Sequence, residues 1–397
     1  MKRFVVLDSL RGFCAIALII HHTHIERSVS EWVFFRNASQ LAGLFFALSG
    51  FLLYRRYIAS LNTGPQLRAF MITRVFRVAP LHLAVLLFFI GFECLKMVLE
   101  RNGLAAGPGA FRGDRAPAEI LPNLLLIQAW WPAFNALSFN YPSWVISIEL
   151  YVWLGFGLLL FSLPALARKL FSVLCVAAFI ALCNGLGPIA HYVLWGVGGF
   201  FAGAITYRLY VRLHDYAPGP TLGSALEVGI LALIFWVMAG GYQPLLVEPL
   251  TTGQLSTALT VLFCAAILIF SHEAGILSRL LSLRPLPALG KLWLSIYLTH
   301  AAVIFVAATA LTLAAKFSGY GMFVDKPGEA AGSVVRYLAT GNALNDNLLM
   351  LLVVTAVVVV SMLTHRFIEQ PGIRLGERWE QGRQPRRRWN DPQPDRA

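Results

Sequence analysis

Charged residues are scarce in this sequence. Aspartate, glutamate, lysine and arginine together make up 13% of the 397 residues, whereas 57% are hydrophobic. A soluble globular domain has roughly a quarter of its residues charged, so the composition excludes such a domain as the main part of the chain. The sequence has instead a series of apolar runs, each long enough to cross a bilayer as a helix. The composition therefore predicts a polytopic membrane protein.

Cysteine ligand motifs and internal repeats are absent as well. The cysteines have no C-x-x-C or similar spacing, so the sequence predicts no metal site, and we interpret all of them as apolar packing residues. They are Cys14, Cys94, Cys175, Cys183 and Cys264.

The first apolar run lacks a small-residue cleavage site and contains Asp8 and Arg11. We therefore predict a retained first helix rather than a signal peptide.

The apolar runs predict an all-α bundle of about ten transmembrane helices around a polar cavity. Their predicted limits are 4–24, 38–57, 77–99, 142–162, 170–186, 189–207, 222–240, 254–271, 291–315 and 346–367. With the N-terminus in the cytoplasm, 22 of the 32 lysines and arginines lie in or beside cytoplasmic segments, nine lie outside, and Arg11 lies within the first span. This bias follows the positive-inside rule and predicts that both termini are cytoplasmic. Topology thus accounts for most of the net charge of +12, and nucleic acid is not an expected partner.

The sequence divides into a transmembrane domain, residues 1–369, and a tail, 370–397. The tail is basic and rich in proline, and we predict that it is disordered in the cytoplasm, next to anionic lipid. The apolar stretch 119–131 is too short to cross, so we predict a re-entrant or interfacial helix there. The segment from about 316 to 345 is rich in glycine and charge, and we expect it to cover an outward opening.

Arg11 and His22 lie on one face of the first predicted helix. Eleven residues correspond to about three full turns, so the two side chains project in the same direction, about 16 Å apart along the axis. Asp8 lies three residues before Arg11 and is placed to pair with it. Because ionisable groups inside a span usually face a cavity, this face predicts a polar path through the bundle. The alternative is that both side chains only anchor the helix at the two membrane surfaces.

Glu149 lies in the fourth predicted span, within "NYPSWVISIELYVW". Counted from Pro142, which suits a helix start, it is about 10 Å deep, similar to the depth of His22. A carboxylate that orients an imidazole produces a general base able to activate a hydroxyl group. We therefore predict that Glu149 and His22 meet. The alternative is a glutamate that is hydrogen-bonded to a neighbouring helix.

Arg74 and Arg77 are one helical turn apart in "TRVFRVAP", on the predicted cytoplasmic face and before Pro80 near the start of the third span. Planar guanidinium groups bind phosphate oxygens in pairs, so these residues are candidates for binding a nucleotide-bearing donor. Inner-leaflet lipid headgroups are the alternative ligand.

A polar strip also interrupts the ninth predicted span, in "LGKLWLSIYLTH". Ser295, Tyr297 and His300 lie within two turns of one helix, which is more typical of a cavity lining than of a lipid-facing surface. In "FFALSGFLL", by contrast, Ser49 and Gly50 are small residues that let helices approach closely, so we interpret that stretch as packing.

Taken together, these segments resemble one known family. "LDSLRGFCAIALIIHH", "FFALSGFLL", "RVFR", "PSWVISIE", "SIYLTH" and "HRFIEQP" occur in the order and spacing seen in the acyltransferase-3 family of integral membrane O-acyltransferases. The resemblance extends over residues 4–371. One position departs from the common pattern, because Val145 follows the motif tryptophan where many members have a hydroxyl residue; Ser147 is two residues further on.

The resemblance implies roles for individual residues. Arg11 and His22 match the family's Arg-x10-His pattern, in which the histidine is catalytic, and Glu149 matches its fourth-span carboxylate. Arg74 and Arg77 match an Arg-x-x-Arg pattern expected to contact acyl-CoA. The late-span pattern falls on Ser295, Tyr297 and His300, expected with Asp8 and Ser147 to line the cavity.

The resemblance also implies an activity. We expect a bacterial inner-membrane O-acetyltransferase that uses acetyl-CoA as a co-substrate, with no permanently bound cofactor. Its expected acceptor is a hydroxyl of a cell-envelope or exported glycan, or of a lipid-linked saccharide. A transporter or flippase for a lipid-linked saccharide is the alternative, because a polar path through ten helices also suits transport.

Overall fold

The computed structural model describes residues 4–103, 109–185, 191–216, 218–246, 248–318, 321–327 and 334–381. Within these ranges the fold is almost entirely helical. The helices are α1 (Val5–His22), α2 (Val33–Arg36), α3 (Ala42–Tyr57), α4 (Gly64–Arg101), α5 (Ile120–Leu124), α6 (Ser143–Ser162), α7 (Pro164–Asn184), α8 (His191–Leu213), α9 (Pro220–Met238), α10 (Thr252–His272), α11 (Ile276–Leu281), α12 (Leu286–Lys291), α13 (Trp293–Ser318), α14 (Ala343–Thr364) and α15 (Gln370–Gln381).

Each of the ten predicted spans corresponds to a long helix. Among the described residues, eight helices are long and apolar enough to cross a membrane: α1, α4, α6, α7, α9, α10, α13 and the continuous segment that begins with α14. The other two are α3, which has 16 residues, and α8. The all-α prediction also missed a two-stranded antiparallel sheet, β1 (Phe323–Pro327) and β2 (Val334–Leu338), in the segment expected to cover an opening. The turn between the strands lies outside the described residues.

Helices α3 and α8 pack together at the centre of the bundle. Every residue from Leu41 to Phe51 is buried. A Cβ atom on Gly50 would overlap the carbonyl of Phe200, and one on Gly203 would overlap the carbonyl of Ala47. The two backbones therefore touch where both helices have glycine, which confirms the packing interpretation of "FFALSGFLL".

Helix α4 begins earlier than the third predicted span. Thr63 and Gln66 form a capping box, and Pro65 lies in the first turn, so the chain is helical from Gly64 onward. Pro80, predicted near the start of the span, lies inside the helix. The segment predicted as a cytoplasmic connection is therefore the first third of a 38-residue helix.

The predicted disordered tail begins with a helix. A π-helical turn, His365–Glu369, connects α14 to α15, and α15 packs on α4. The Trp379 ring lies 6.2 Å from that of Phe76. Residues 382–397 of the predicted tail lie outside the described residues.

The bundle has two ends, called here the Phe4 end and the His22 end after the residues at the two ends of α1. At the Phe4 end, the Ser9 hydroxyl donates to the Leu281 carbonyl at 2.6 Å. Gly290 of α12 lies directly against the backbone of Asp8, where a Cβ atom would overlap. These contacts fix the position and rotation of α1.

At the His22 end, irregular segments cover the bundle. Residue Ile25 forms a parallel bridge with Leu338, so the hairpin of β1 and β2 is hydrogen-bonded to the chain just after α1. The predicted re-entrant helix is only the five-residue α5; the chain then turns at Leu126, whose φ is 56°. Trp131 is 65% exposed at this end.

Candidate active site

Two imidazoles meet at the His22 end. His22, in the last turn of α1, and His300, in the second turn of α13, have ring centroids 5.1 Å apart in a stacked arrangement. His22 Nδ1 lies 3.1 Å from His300 Nε2. Sequence reasoning selected both residues but did not pair them.

The surrounding carbonyls determine which nitrogens carry protons in the neutral rings. His300 Nδ1 lies 3.2 Å from the Ile296 carbonyl, and His22 Nδ1 lies 2.9 Å from the Leu18 carbonyl. A carbonyl oxygen only accepts, so both Nδ1 atoms donate. His300 Nε2 is then a lone-pair acceptor that shares the Nδ1 proton of His22. His22 Nε2 is left as the basic nitrogen and hydrogen bonds with none of the described residues.

Tyr141 packs against the pair, as His21 does against His22. Its ring centroid lies 4.6 Å from that of His22 and 5.9 Å from that of His300. Burial raises the pKa of the Tyr141 phenol above its ordinary value, so the group stays protonated. The sequence analysis did not select Tyr141, although this residue directly precedes Pro142, where the helix with Glu149 was predicted to start.

Glu149 lies among different partners from those predicted. Ser49 donates a hydrogen bond to it, and the Ser49 hydroxyl in turn accepts from Trp153 Nε1 at 2.7 Å. The charged groups that act on Glu149 are Arg11, Arg77 and Arg74. The ring of His22 is hydrogen-bonded by His300 instead, so the geometry joins the carboxylate to the arginines.

The arginines form a half-buried cluster in the half of the bundle nearer the Phe4 end. Asp8, Arg77 and Glu149 are the charged groups that act on Arg11, whose guanidinium carbon lies 5.4 Å from the centre of the Trp293 ring. The Nε atom of Arg11 is buried and has no described hydrogen-bond partner. Three half-buried cations and two carboxylates, of which only Glu149 is fully buried, thus share one region, which favours an anionic ligand.

Arg74 lies in an aromatic box. Its guanidinium carbon is 5.7–5.8 Å from the ring centres of Tyr57, Phe70 and Trp153, and its Nη2 donates to the Tyr57 hydroxyl at 3.3 Å. The Nε atom is buried without a described partner. Aromatic faces stabilise a guanidinium group and leave its N–H donors available for phosphate oxygens.

A cavity of about 340 Å³ opens beside this box at the Phe4 end. Its lining includes Arg56, Tyr57, Gln66, Thr73 and Glu380. Tyr57 therefore belongs both to the cavity wall and to the box around Arg74. The cavity is large enough for part of a nucleotide-sized ligand.

The remaining predicted cavity-lining residues bond mainly to the protein itself. Ser147 donates to the Leu126 carbonyl at 2.6 Å and so fixes the turn after α5. Ser295 donates to Glu369 at 2.7 Å, and His365 Nδ1 lies 2.9 Å from the same carboxylate oxygen. Tyr297 is buried, with its ring centre 5.9 Å from that of His300. Glu369 and His365 were quoted in "HRFIEQP" but not selected, because nothing in the sequence joins them to Ser295.

In the described part of the chain, no group of three or more His, Cys, Asp or Glu side chains is arranged to hold a metal ion.

Comparison with known proteins gives one match. A family model described as an acyltransferase domain matches residues 4–366, nearly the whole chain. Neither a curated protein nor a solved structure matches the chain significantly. The apolar helices make this a multi-pass membrane protein. The extent of the match settles its classification: the chain belongs to the acyltransferase-3 family, whose members transfer acyl groups.

Proposed function

We propose that the protein is an O-acetyltransferase that moves an acetyl group from cytoplasmic acetyl-CoA to a hydroxyl of a cell-envelope or exported glycan. The observation that carries this proposal is the polar face of α1. A half-buried arginine cluster adjoins its first half, and a basic imidazole lies at its end. One helix thus joins a region suited to phosphates to a region suited to hydroxyl activation.

The Phe4 end is the proposed donor side. Arg74 and Arg77 bind the phosphates of acetyl-CoA, and the adjacent cavity with Arg56 and Tyr57 holds part of its nucleotide. Arg11 contacts the extended arm of the donor on its way toward His22. Glu149 and Asp8 offset the cationic charge when the donor is absent, which lowers the cost of burying three guanidinium groups.

The His22 end is the proposed acceptor side. His22 Nε2 takes the proton of the acceptor hydroxyl while the hydroxyl oxygen forms a bond to the thioester carbonyl carbon. The tetrahedral intermediate collapses, the carbon–sulfur bond breaks, and the proton on Nε2 passes to the departing CoA thiolate. His300 Nε2 accepts from Nδ1–H of His22 throughout, so the imidazolium formed in this step keeps its hydrogen bond.

The proposed setting is the inner membrane of a bacterium, with all ten long helices crossing it and both termini in the cytoplasm. The distribution of lysine and arginine supports this orientation, in which the arginine cluster faces the side where acetyl-CoA is made.

The test uses purified protein in lipid nanodiscs with acetyl-CoA labelled in the acetyl group. We expect release of free CoA in the wild-type protein and its loss in His22→Ala with the protein still folded. Movement of a lipid-linked saccharide between leaflets without CoA release would support a transporter instead and would overturn the proposal.

A further inference from the structure

Asn140 carries an unpartnered hydrogen-bond acceptor close to the imidazole pair. The residue is 1% exposed, and its Nδ2 donates to the Leu298 carbonyl at 3.1 Å. A carbonyl only accepts, so the amide nitrogen faces Leu298 and the orientation of the side chain is fixed. Its Oδ1 atom is buried and has no hydrogen-bond partner among the described residues. Buried polar atoms are nearly always paired, so this atom requires a reason.

The location of Asn140 connects it to the proposed chemistry. Its neighbour in the chain, Tyr141, packs against both imidazoles. Its hydrogen-bond partner Leu298 lies two residues before His300 on α13. Asn140 therefore tethers the turn that carries Tyr141 to the helix that carries His300.

The backbone around Asn140 is held in an unfavourable conformation. The preceding residue, Phe139, has a φ of 53°, a region that bulky side chains rarely adopt. Its amide donates to the Asp114 carbonyl at 3.1 Å, and the Ser143 amide donates to the Asn140 carbonyl at 2.9 Å. Strained residues persist where surrounding contacts hold them, and they are common at ligand-binding sites.

We infer that Asn140 binds a second hydroxyl of the acceptor, next to the hydroxyl that His22 deprotonates. The Oδ1 atom accepts a hydrogen bond from this second hydroxyl. A molecule with several hydroxyl groups can donate hydrogen bonds to His22 Nε2 and Asn140 Oδ1 at the same time, whereas a simple alcohol can donate to only one of them. The acceptor class is therefore a polyhydroxylated ring, and Asn140 selects for it. This inference rests on the proposed function.

The experiment compares two acceptors that differ in hydroxyl content. Protein in nanodiscs receives labelled acetyl-CoA with either methyl β-D-glucoside, which has several hydroxyls, or cyclohexanol, which has one. Three products are measured: glucoside ester, cyclohexyl ester and free acetate. We expect the wild-type protein to favour the glucoside. In Asn140→Leu, glucoside ester formation falls at least tenfold, while cyclohexyl ester and acetate stay within twofold.

Asn123→Leu is the matched control. Asn123 is also fully buried in the same segment and also has an unpartnered Oδ1, but its Nδ2 donates to the Glu119 carbonyl and the Ser138 hydroxyl rather than to α13. We expect this variant to keep the glucoside preference. Asn140→Ala, a smaller change, replaces Asn140→Leu if the larger apolar side chain prevents folding.

Three outcomes overturn the inference. The first is a wild-type protein that does not favour the glucoside. The other two concern the Asn140 variants: an unchanged preference for the glucoside, or an equal fall in the amounts of all three products. Failure of the proposed function looks different, because the wild-type protein then releases no CoA with either acceptor or with water.

Discussion

At the scale of single residues, the proposed chemistry depends on the hydrogen bond between His22 and His300. The helical periodicity of the sequence predicted that His22 lies on a polar face, because the face of a helix is determined by residues that are close together in the chain. It did not locate His300 as the partner, since contact between residues 278 positions apart depends on how α1 and α13 pack. For the same reason Glu149 was selected but given the wrong neighbour, because the direction of a side chain around its helix is not readable from the sequence.

The first prediction concerns the two imidazoles. His22→Gln removes the basic nitrogen, so we expect kcat for acetyl transfer to fall by about 10²–10⁴-fold, the usual contribution of a general base. His300→Gln keeps an oxygen that accepts from Nδ1–H of His22, so we expect a loss of less than about tenfold. Initial rates of CoA release give both values. Equal, large losses in both variants would contradict the roles assigned to the two rings.

The second prediction concerns the donor side. A hydrogen bond to a charged group contributes about 1.5–3 kcal/mol, so Arg74→Ala is expected to weaken acetyl-CoA binding by about 10–150-fold. Isothermal titration measures the dissociation constant. Arg68→Ala is the control, because Arg68 is on the same helix but exposed. Binding that is equally weak in the two variants would indicate non-specific attraction to a basic surface.

At the scale of helices, composition gave the number and approximate limits of the long elements, because apolar length is recorded directly in the sequence. The start of α4 was missed, although Thr63, Pro65 and Gln66 form a recognisable capping pattern. The third span was predicted to begin at residue 77, with Pro80 near its start, but a proline interrupts a helix less decisively where neighbouring helices support it. The small residues of α3 indicated that another helix approaches it closely. They did not indicate that this helix is α8.

The third prediction concerns that approach. In Gly203→Ala the new methyl group would overlap the Ala47 carbonyl, so the helices must separate, and overpacking of this kind costs about 1–3 kcal/mol. We expect a lower thermal unfolding temperature in nanodiscs. Gly229→Ala on α9 is the control, because no atom lies within 4 Å of the added Cβ and alanine favours the helix. A Gly203→Ala protein as stable as the control would show that the backbones do not touch.

At the scale of the whole molecule, the charges of the connecting segments predict which end of the bundle faces the cytoplasm. The hairpin and the turn after α5 lie at the opposite end. Their detailed shapes were not predictable, because they depend on contacts such as the bridge of Ile25 with Leu338 and the hydrogen bond of Ser147 with Leu126.

The fourth prediction tests this orientation. Leu245, at the His22 end, is 73% exposed, and Tyr216, at the Phe4 end, is 79% exposed. In a background with the native cysteines replaced by alanine, we expect an impermeant maleimide to label Leu245→Cys in intact cells. Tyr216→Cys should react only after the membrane is permeabilised. The reverse pattern would place the arginine cluster outside and remove its access to acetyl-CoA.

The separation of Arg11 from His22, about 16 Å along α1, has a kinetic consequence. In the proposed function the two substrates occupy different ends of the protein, so we expect each to enter and leave without displacing the other. Double-reciprocal plots for the two substrates then intersect rather than run parallel. We expect the product CoA to compete with acetyl-CoA alone and to inhibit non-competitively with respect to the acceptor, so that a high CoA level in the cell would slow the proposed reaction whatever the supply of glycan.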